Sequence, residues 1–257
     1  GDIKIKIMLN NNIFQKKNIL IYGLGKSGQS AYKFLKNDNI IYLYDDNKIK
    51  NKSFDINKII KKKIDHIIIS PGINIEKCKL TRFLKKNLRK INTDLDVYFS
   101  VYGKNKNITI TGTNGKSTTA KIIYEVLIKN KIDARLVGNI GNPILLEKKI
   151  TSKTVFVIEA SSYQLDYSKF FKSNVGVILN ISPDHLDRHK SLKNYIRAKF
   201  KLIKNQSRKD FAVLNANNEY INRQLHTQKF LSKIIKVNTK IISSILKKID
   251  NPYFLTD

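Results

Sequence analysis

Asn107 to Asn130 reads N-I-T-I-T-G-T-N-G-K-S-T-T-A-K-I-I-Y-E-V-L-I-K-N. Ile108 and Ile110 alternate at strand spacing and lead into Gly112-Thr113-Asn114-Gly115-Lys116-Ser117-Thr118. Beyond that loop, Ile122, Ile123, Val126 and Leu127 recur at helical spacing. A strand that enters a glycine loop and leaves as a helix aims backbone N–H groups and the positive helix end at one point. A triphosphate suits that point. Lys116 would reach its terminal phosphates, and the Ser117 hydroxyl would ligate Mg²⁺. The common loop G-x-x-x-x-G-K-[ST] needs glycine at position 110. Ile110 stands there, so the loop is the shorter G-x-x-G-K-S form.

Upstream, Asn18–Tyr22 is a short apolar strand running into Gly23-Leu24-Gly25-Lys26-Ser27-Gly28, and a helix follows through about Leu35. A second strand, Ile40–Tyr44, ends at Asp45-Asp46. Strand, G-x-G-x-x-G turn, helix, strand and acid is the dinucleotide-binding pattern, although such glycines admit any diphosphate to a helix N-terminus. Asp65–Ser70 reads as a third strand whose carboxyl end carries Ser70-Pro71-Gly72, a sharp turn where open α/β sheets bind ligands. A helix is expected from about Cys78 to Leu88, and Asp94–Tyr102 is mixed. Gly103–Asn107 is polar, and the domain boundary is placed there. The expectation is an N-terminal Rossmann-like parallel-sheet domain, 1–103, followed by an incomplete P-loop NTPase-like central α/β domain, 104–257.

In the second part, Thr154–Ile158 reads as a buried strand with Glu159 at its tip, placed to hold Mg²⁺ beside a nucleotide. Asn174–Ile181 is a further strand delivering Ser182-Pro183-Asp184-His185-Leu186-Asp187-Arg188-His189. Two His and two Asp within six residues suit either metal or proton-transfer chemistry or a plain solvated loop. The helix Ser191–Lys204 carries Arg197 and Lys199 toward this region, and Phe211–Leu214 is the next strand. From Asn217 onward the pattern weakens.

Composition narrows the class. Lys and Arg number 49 against 20 Asp and Glu in 257 residues, a net charge of +29. A nucleic-acid-binding protein would show such a balance. Only seven of the basic residues are Arg, however, and the 42 Lys are spread along a chain also crowded with Asn and Ile, which points to A/T-rich coding. No nucleic-acid partner is expected. No apolar run approaches the ~18 residues of a membrane helix. A lone cysteine, Cys78, fits a reducing compartment. Met8 is the only methionine, and translation is expected to start there, with Gly1–Ile7 upstream read-through or a cloning remnant.

T-G-T-N-G-K-S-T-T, G-N-I-G-N-P (138–143), E-A-S-S-Y-Q-L (159–165), N-I-S-P-D-H-L-D-R-H (180–189) and Y-I-R-A-K-F-K-L-I (195–203) together resemble the Mur ligases, in order and spacing. The resemblance runs from about Asn18 to Asn217. It implies ATP-dependent amide formation in peptidoglycan precursor synthesis, and E-A-S-S-Y-Q-L is most like members that add D-glutamate to UDP-N-acetylmuramoyl-L-alanine. It implies Gly112 to Thr118 on ATP and Lys116, His185 and Lys199 as catalytic. Two Mg²⁺ ions would be held by Ser117, Glu159, His185 and Lys199, with Lys199 carbamylated by CO₂. Gly25, Ser27, Gly28, Asp45, Ser70, Pro71 and Gly72 would hold the UDP end, so the first turn would take a nucleoside diphosphate in place of NAD. Asn139, Ser161 and Gln164 would meet the sugar-peptide arm. Relatives follow the Asp45 position with Thr-Arg, whereas this chain has Asp46-Asn47. Family members also carry a third, C-terminal domain, so the resemblance implies a fragment with little turnover of its own, in a cytoplasmic and monomeric enzyme. Another Mur ligase, a folylpolyglutamate synthetase, an NAD-dependent oxidoreductase and a basic P-loop protein that binds nucleic acid are the competing readings.

Overall fold

The computed structural model describes residues 12–47 and 59–238. The proposed start at Met8 lies outside them. Two parallel sheets form. The first has the order β2-β1-β3-β4, from β1 (Asn18–Tyr22), β2 (Ile40–Tyr44), β3 (His66–Ile69) and β4 (Ile91–Asn92). The second has the order β10-β9-β8-β5-β7-β6. It is built from β5 (Asn107–Thr111), β6 (Ala134–Gly138), β7 (Val155–Glu159), β8 (Val175–Ile178), β9 (Phe211–Asn215) and β10 (Lys233–Val237). Among the described residues all paired strands are parallel. The central strands read as unbroken apolar runs because helices cover both faces of such sheets.

Chain order reverses beside β1 in the first sheet and beside β5 in the second. Crevices open at the carboxyl ends of strands where that happens. The two glycine loops sit at those places. Helix α1 (Lys26–Leu35) follows β1. Gly28 is buried against the preceding turn, and a Cβ there would lie 1.8 Å from the Gly23 carbonyl oxygen. Its role is close helix–strand packing. Helix α4 (Lys116–Lys129) follows β5, entered through Gly115 at φ +79°, a conformation that glycine adopts without strain.

Helix α2 (Thr81–Lys86) packs through Leu84 on the face of the first sheet that carries Leu20 and Tyr22, and α3 (Asp94–Tyr102) lies between the two sheets. The expected helix from Cys78 to Leu88 is thus shorter and ends in a 3₁₀ turn, Leu88–Lys90. Asp94–Tyr102, which has no clear period in sequence, is a helix with a Thr93/Asp96 capping box. Asp94 through Ser100 are all buried, so no polar face marks the helix. Leu95, Tyr98 and Phe99 join Ile19 and Ile21 of the first sheet and Phe156 and Ile158 of the second in one apolar cluster. The Tyr98 ring meets the Phe156 ring edge-on at 4.9 Å.

Further helices among the described residues are α5 (Ser162–Tyr167), α6 (Leu186–His189), α7 (Leu192–Lys204) and α8 (Glu219–Thr227). The weak pattern after Asn217 conceals α8, which Asn218 caps through Ile221 N–H, and β10. β10 is exposed along its whole length, so its sequence lacks the apolar signature of the inner strands. On α4, Ile123 and Leu127 pack on the sheet, while Ile122 and Val126 face outward.

Candidate active site

The phosphate loop is held by residues distant in sequence. Asn180, just past β8, accepts Thr113 N–H at 3.1 Å and Asn114 N–H at 2.8 Å through Oδ1, and its Nδ2 donates to the Asn114 carbonyl at 3.1 Å. β8 stops at Ile178 and not at Ile181, so Asn180 belongs to the loop beyond it. The Thr113 hydroxyl lies 3.1 Å from the Tyr195 hydroxyl of α7. Lys116 Nζ folds back to the Thr113 carbonyl at 2.8 Å. The Ser117 hydroxyl donates to Glu159 Oε2 at 2.7 Å. Glu159 is buried at the tip of β7, adjacent to β5.

Lys199 comes to the same place from α7. Its side chain is only 2% exposed, and Nζ donates to the Gly112 carbonyl at 2.7 Å. The Tyr195 ring lies 4.5 Å from that nitrogen. Burial, reinforced by the Lys116 charge, pushes the Lys199 amine down to about 7.

The two histidines of the Asp/His run separate. His185, at φ +53°, presents a half-exposed ring against Tyr163. His189 is buried, lies 3.0 Å from the Ser162 hydroxyl through Nε2, and stacks on Tyr163. Burial lowers its pKa. His189 therefore supports the site and does not face it.

Gly112, Lys116, Asn139, Ser161, His185 and Lys199 line one cavity of about 180 Å³, with Pro71 and Gly72 as its far wall. A larger cavity of about 520 Å³ lies on the other side of that wall, lined by Gly25, Ser27, Asp45, Ser70, Pro71 and Gly72 among others. The Pro71-Gly72 turn thus separates and joins the two. Arg188 holds it. The guanidinium donates to the carbonyls of Pro71 at 3.0 Å, Gly72 at 3.3 Å and Ile73, and stands over the Tyr163 ring at 4.6 Å.

Three of the residues expected at the ligand are engaged within the protein. Gly28 lines neither cavity and is packed under the loop. Asp45 reaches the larger cavity, but its carboxylate is engaged with Leu24 N–H at 2.6 Å and Asn47 N–H at 2.9 Å, so it shapes the loop. Gln164 is buried, with its amide spent on Ser161 and Asp94. Asn180, Tyr195 and Arg188 are the residues that local sequence reasoning missed. Each works through a contact more than sixty positions away in the chain.

These observations meet a family. The Mur ligase middle domain matches residues 110–249. This chain belongs to the Mur ligase family. It is 34% identical over 254 residues to the UDP-N-acetylmuramoylalanine--D-glutamate ligase of Rickettsia bellii, covering 91% of this chain and 56% of that one. With the enzyme of the same name from Rickettsia prowazekii it shares 37% over 246 residues, covering 92% and 54%. The chain spans about half the length of the curated relatives it matches. Its fold is similar to that of a UDP-N-acetylmuramate:L-alanyl-gamma-D-glutamyl-meso-diaminopimelate ligase from Neisseria meningitides. The TM-score is 0.55 and the identity 17%, with 86% of this chain and 78% of that chain covered. Among the described residues, no helix is long and apolar enough to cross a membrane.

The residues present suit Mg²⁺. A serine hydroxyl and a carboxylate 2.7 Å apart beside a helix N-terminus offer hard oxygen ligands. Among the described residues no three of His, Cys, Asp or Glu gather, so phosphate and water oxygens would complete the shell.

Proposed function

We propose that this chain forms the substrate-binding and phosphoryl-transfer part of a cytoplasmic, monomeric ligase that joins D-glutamate to UDP-N-acetylmuramoyl-L-alanine at the expense of ATP. The observation that carries the reading is the single cavity shared by Lys116, His185 and Lys199, which has Pro71 and Gly72 in common with a larger hollow lined by Gly25 and Ser27. The names of the similar proteins supply the substrates. Residues 1–103 would act as the UDP-substrate unit and 104–257 as the ATP unit.

The UDP end would lie along Gly25 and Ser27 at the N-terminus of α1, where the helix end favours phosphate. The sugar-peptide arm would cross Gly72 toward Asn139 and Ser161. Its carboxylate oxygen would attack the γ-phosphorus of ATP, releasing ADP and leaving an acyl phosphate. The amine of D-glutamate would then add to the carbonyl carbon, and the tetrahedral species would expel inorganic phosphate. Two anions must meet, and Lys116 with the loop N–H groups would offset their repulsion. Two bound Mg²⁺ ions would supply further neutralisation of carboxylate and phosphate charge, one held by Ser117 and Glu159, the other by His185 and a carbamylated Lys199.

The Lys199 environment supports carbamylation. A buried amine with its pKa near neutrality is substantially unprotonated at pH 7. Its lone pair can attack CO₂, forming an N–C bond and losing a proton to give a carbamate anion.

The test is calorimetric titration of this chain with UDP-N-acetylmuramoyl-L-alanine, NADH and a DNA duplex. The proposal expects binding of the first alone. Tight NADH or salt-dependent DNA binding without it would overturn the proposal.

A further inference from the structure

Two aspartates on α3 are buried, and they do different work. Asp96 accepts the backbone N–H groups of Phe170 at 2.7 Å, Lys169 at 2.9 Å and Phe171 at 3.1 Å, so it anchors a turn. Asp94 accepts Leu95 N–H at 3.0 Å and, besides it, a donor on a side chain that leads to the smaller cavity. Gln164 Nε2 donates to its oxygens at 3.2 and 3.3 Å. Ser161, the next residue along the network, lines the smaller cavity.

The chemistry of the groups dictates the orientation. Ser161 N–H can only donate, so it takes the oxygen end of the Gln164 amide and leaves the NH₂ end to Asp94. Gln164 Oε1 must then face away, toward Ser161. There it accepts Ser161 N–H at 3.1 Å and the Ser161 hydroxyl at 3.2 Å. The Ser161 oxygen also accepts Gln164 N–H at 3.2 Å. With its proton committed to Gln164, the Ser161 hydroxyl offers the cavity an acceptor.

We propose that Asp94 is a positioning residue that sets, through the buried Gln164 amide, the hydroxyl of Ser161 in the reaction cavity. Ser161 so set recognises an N–H or O–H donor on the sugar-peptide arm. This rests on the proposed reading of the two cavities as the seat of one extended ligand. The substitution Asp94→Asn would present an NH₂ group to Gln164. The glutamine amide would then turn over, and the Ser161 hydroxyl would lose its fixed direction.

Circular dichroism establishes folding, and titration with UDP and with UDP-N-acetylmuramoyl-L-alanine reads the two cavities. D94N is expected to weaken the sugar acid by about tenfold, the usual scale for a hydrogen bond left unmade at a buried site. Adding Q164E should bring affinity back to within about threefold. The new carboxylate accepts from the side-chain amide introduced by D94N and from Ser161, restoring the pattern with its polarity exchanged. Q164E alone sets two carboxylates face to face and should bind worse than either. A role in stability alone would not give this order of affinities among folded proteins. Unchanged sugar-acid affinity in D94N, or a D94N/Q164E protein that binds no better than D94N or fails to fold, overturns the proposal. If D94N alone does not fold, the double variant carries the test, since it should fold and bind. Wild-type protein that folds but binds neither ligand overturns the site reading itself, and this inference with it.

Discussion

The Lys199 ammonium group donates to the Gly112 carbonyl at 2.7 Å, tying helix α7 to the first residue of the phosphate loop. An amine in that position is costly to keep charged. Its pKa falls to about 7, so below pH 7 the folded protein carries a proton it holds poorly. Between there and the ordinary lysine value the unfolded chain binds a proton that the folded chain lacks, and stability therefore rises with pH across that window. Lys199→Met should raise the thermal midpoint at pH 7, by an amount worth roughly 1–4 kcal/mol. The advantage should shrink toward pH 10. It should also abolish any carbamate signal from ¹³CO₂ in NMR, a signal that in the wild type strengthens as pH rises through 7. A wild-type midpoint equal to that of the variant at pH 7 would show that burial there is not costly.

Asn180 acts on the loop through both ends of its amide. Asn180→Ala removes the bonds to Thr113, Asn114 and the Asn114 carbonyl. Asn180→Asp keeps the acceptor but loses the donor and adds negative charge beside the phosphates. ATP affinity by calorimetry should fall about tenfold in the alanine variant and further in the aspartate variant. The reverse order would show that loop shape outweighs charge.

Arg188 spans three carbonyls with a planar fork that a lysine cannot reproduce. In Arg188→Lys the Pro71-Gly72 turn loses its fixed position. Affinity for UDP-N-acetylmuramoyl-L-alanine should drop about tenfold or more, with ATP affinity changed by less than about threefold. Equal losses for both ligands would place the effect in general destabilisation.

Gly25 and Gly28 sit in one motif yet face different surroundings. A Cβ at Gly28 would lie 1.8 Å from the Gly23 carbonyl oxygen, whereas one at Gly25 meets nothing within 4 Å. Gly28→Ala should cost about 1–3 kcal/mol or more in urea denaturation. Gly25→Ala should fold as the wild type does and reveal its effect only in UDP binding. A stable Gly28→Ala protein would show that α1 can shift away from β1.

The elements legible in the chain are those whose cause is local. β1 with its glycine turn, β5 with the Lys116 loop, and α7 each declare themselves within about fifteen residues, through apolar period and turn chemistry. Helix α3 was not legible, because it is buried on every side and shows no polar stripe. β10 was not legible for the opposite reason, since every residue of it is exposed.

The sequence alone determined that two parallel α/β sheets would form, each with a phosphate-suited turn at a strand end. That follows from hydrogen bonding and side-chain period, which neighbours along the chain settle. Only the tertiary structure decided which of many lysines is buried beside Gly112, that Gln164 and Gly28 serve from beneath the surface, and that Arg188 braces the wall between two cavities. Those outcomes depend on desolvation and on contacts between residues far apart in the chain. A periodic pattern carries no record of either.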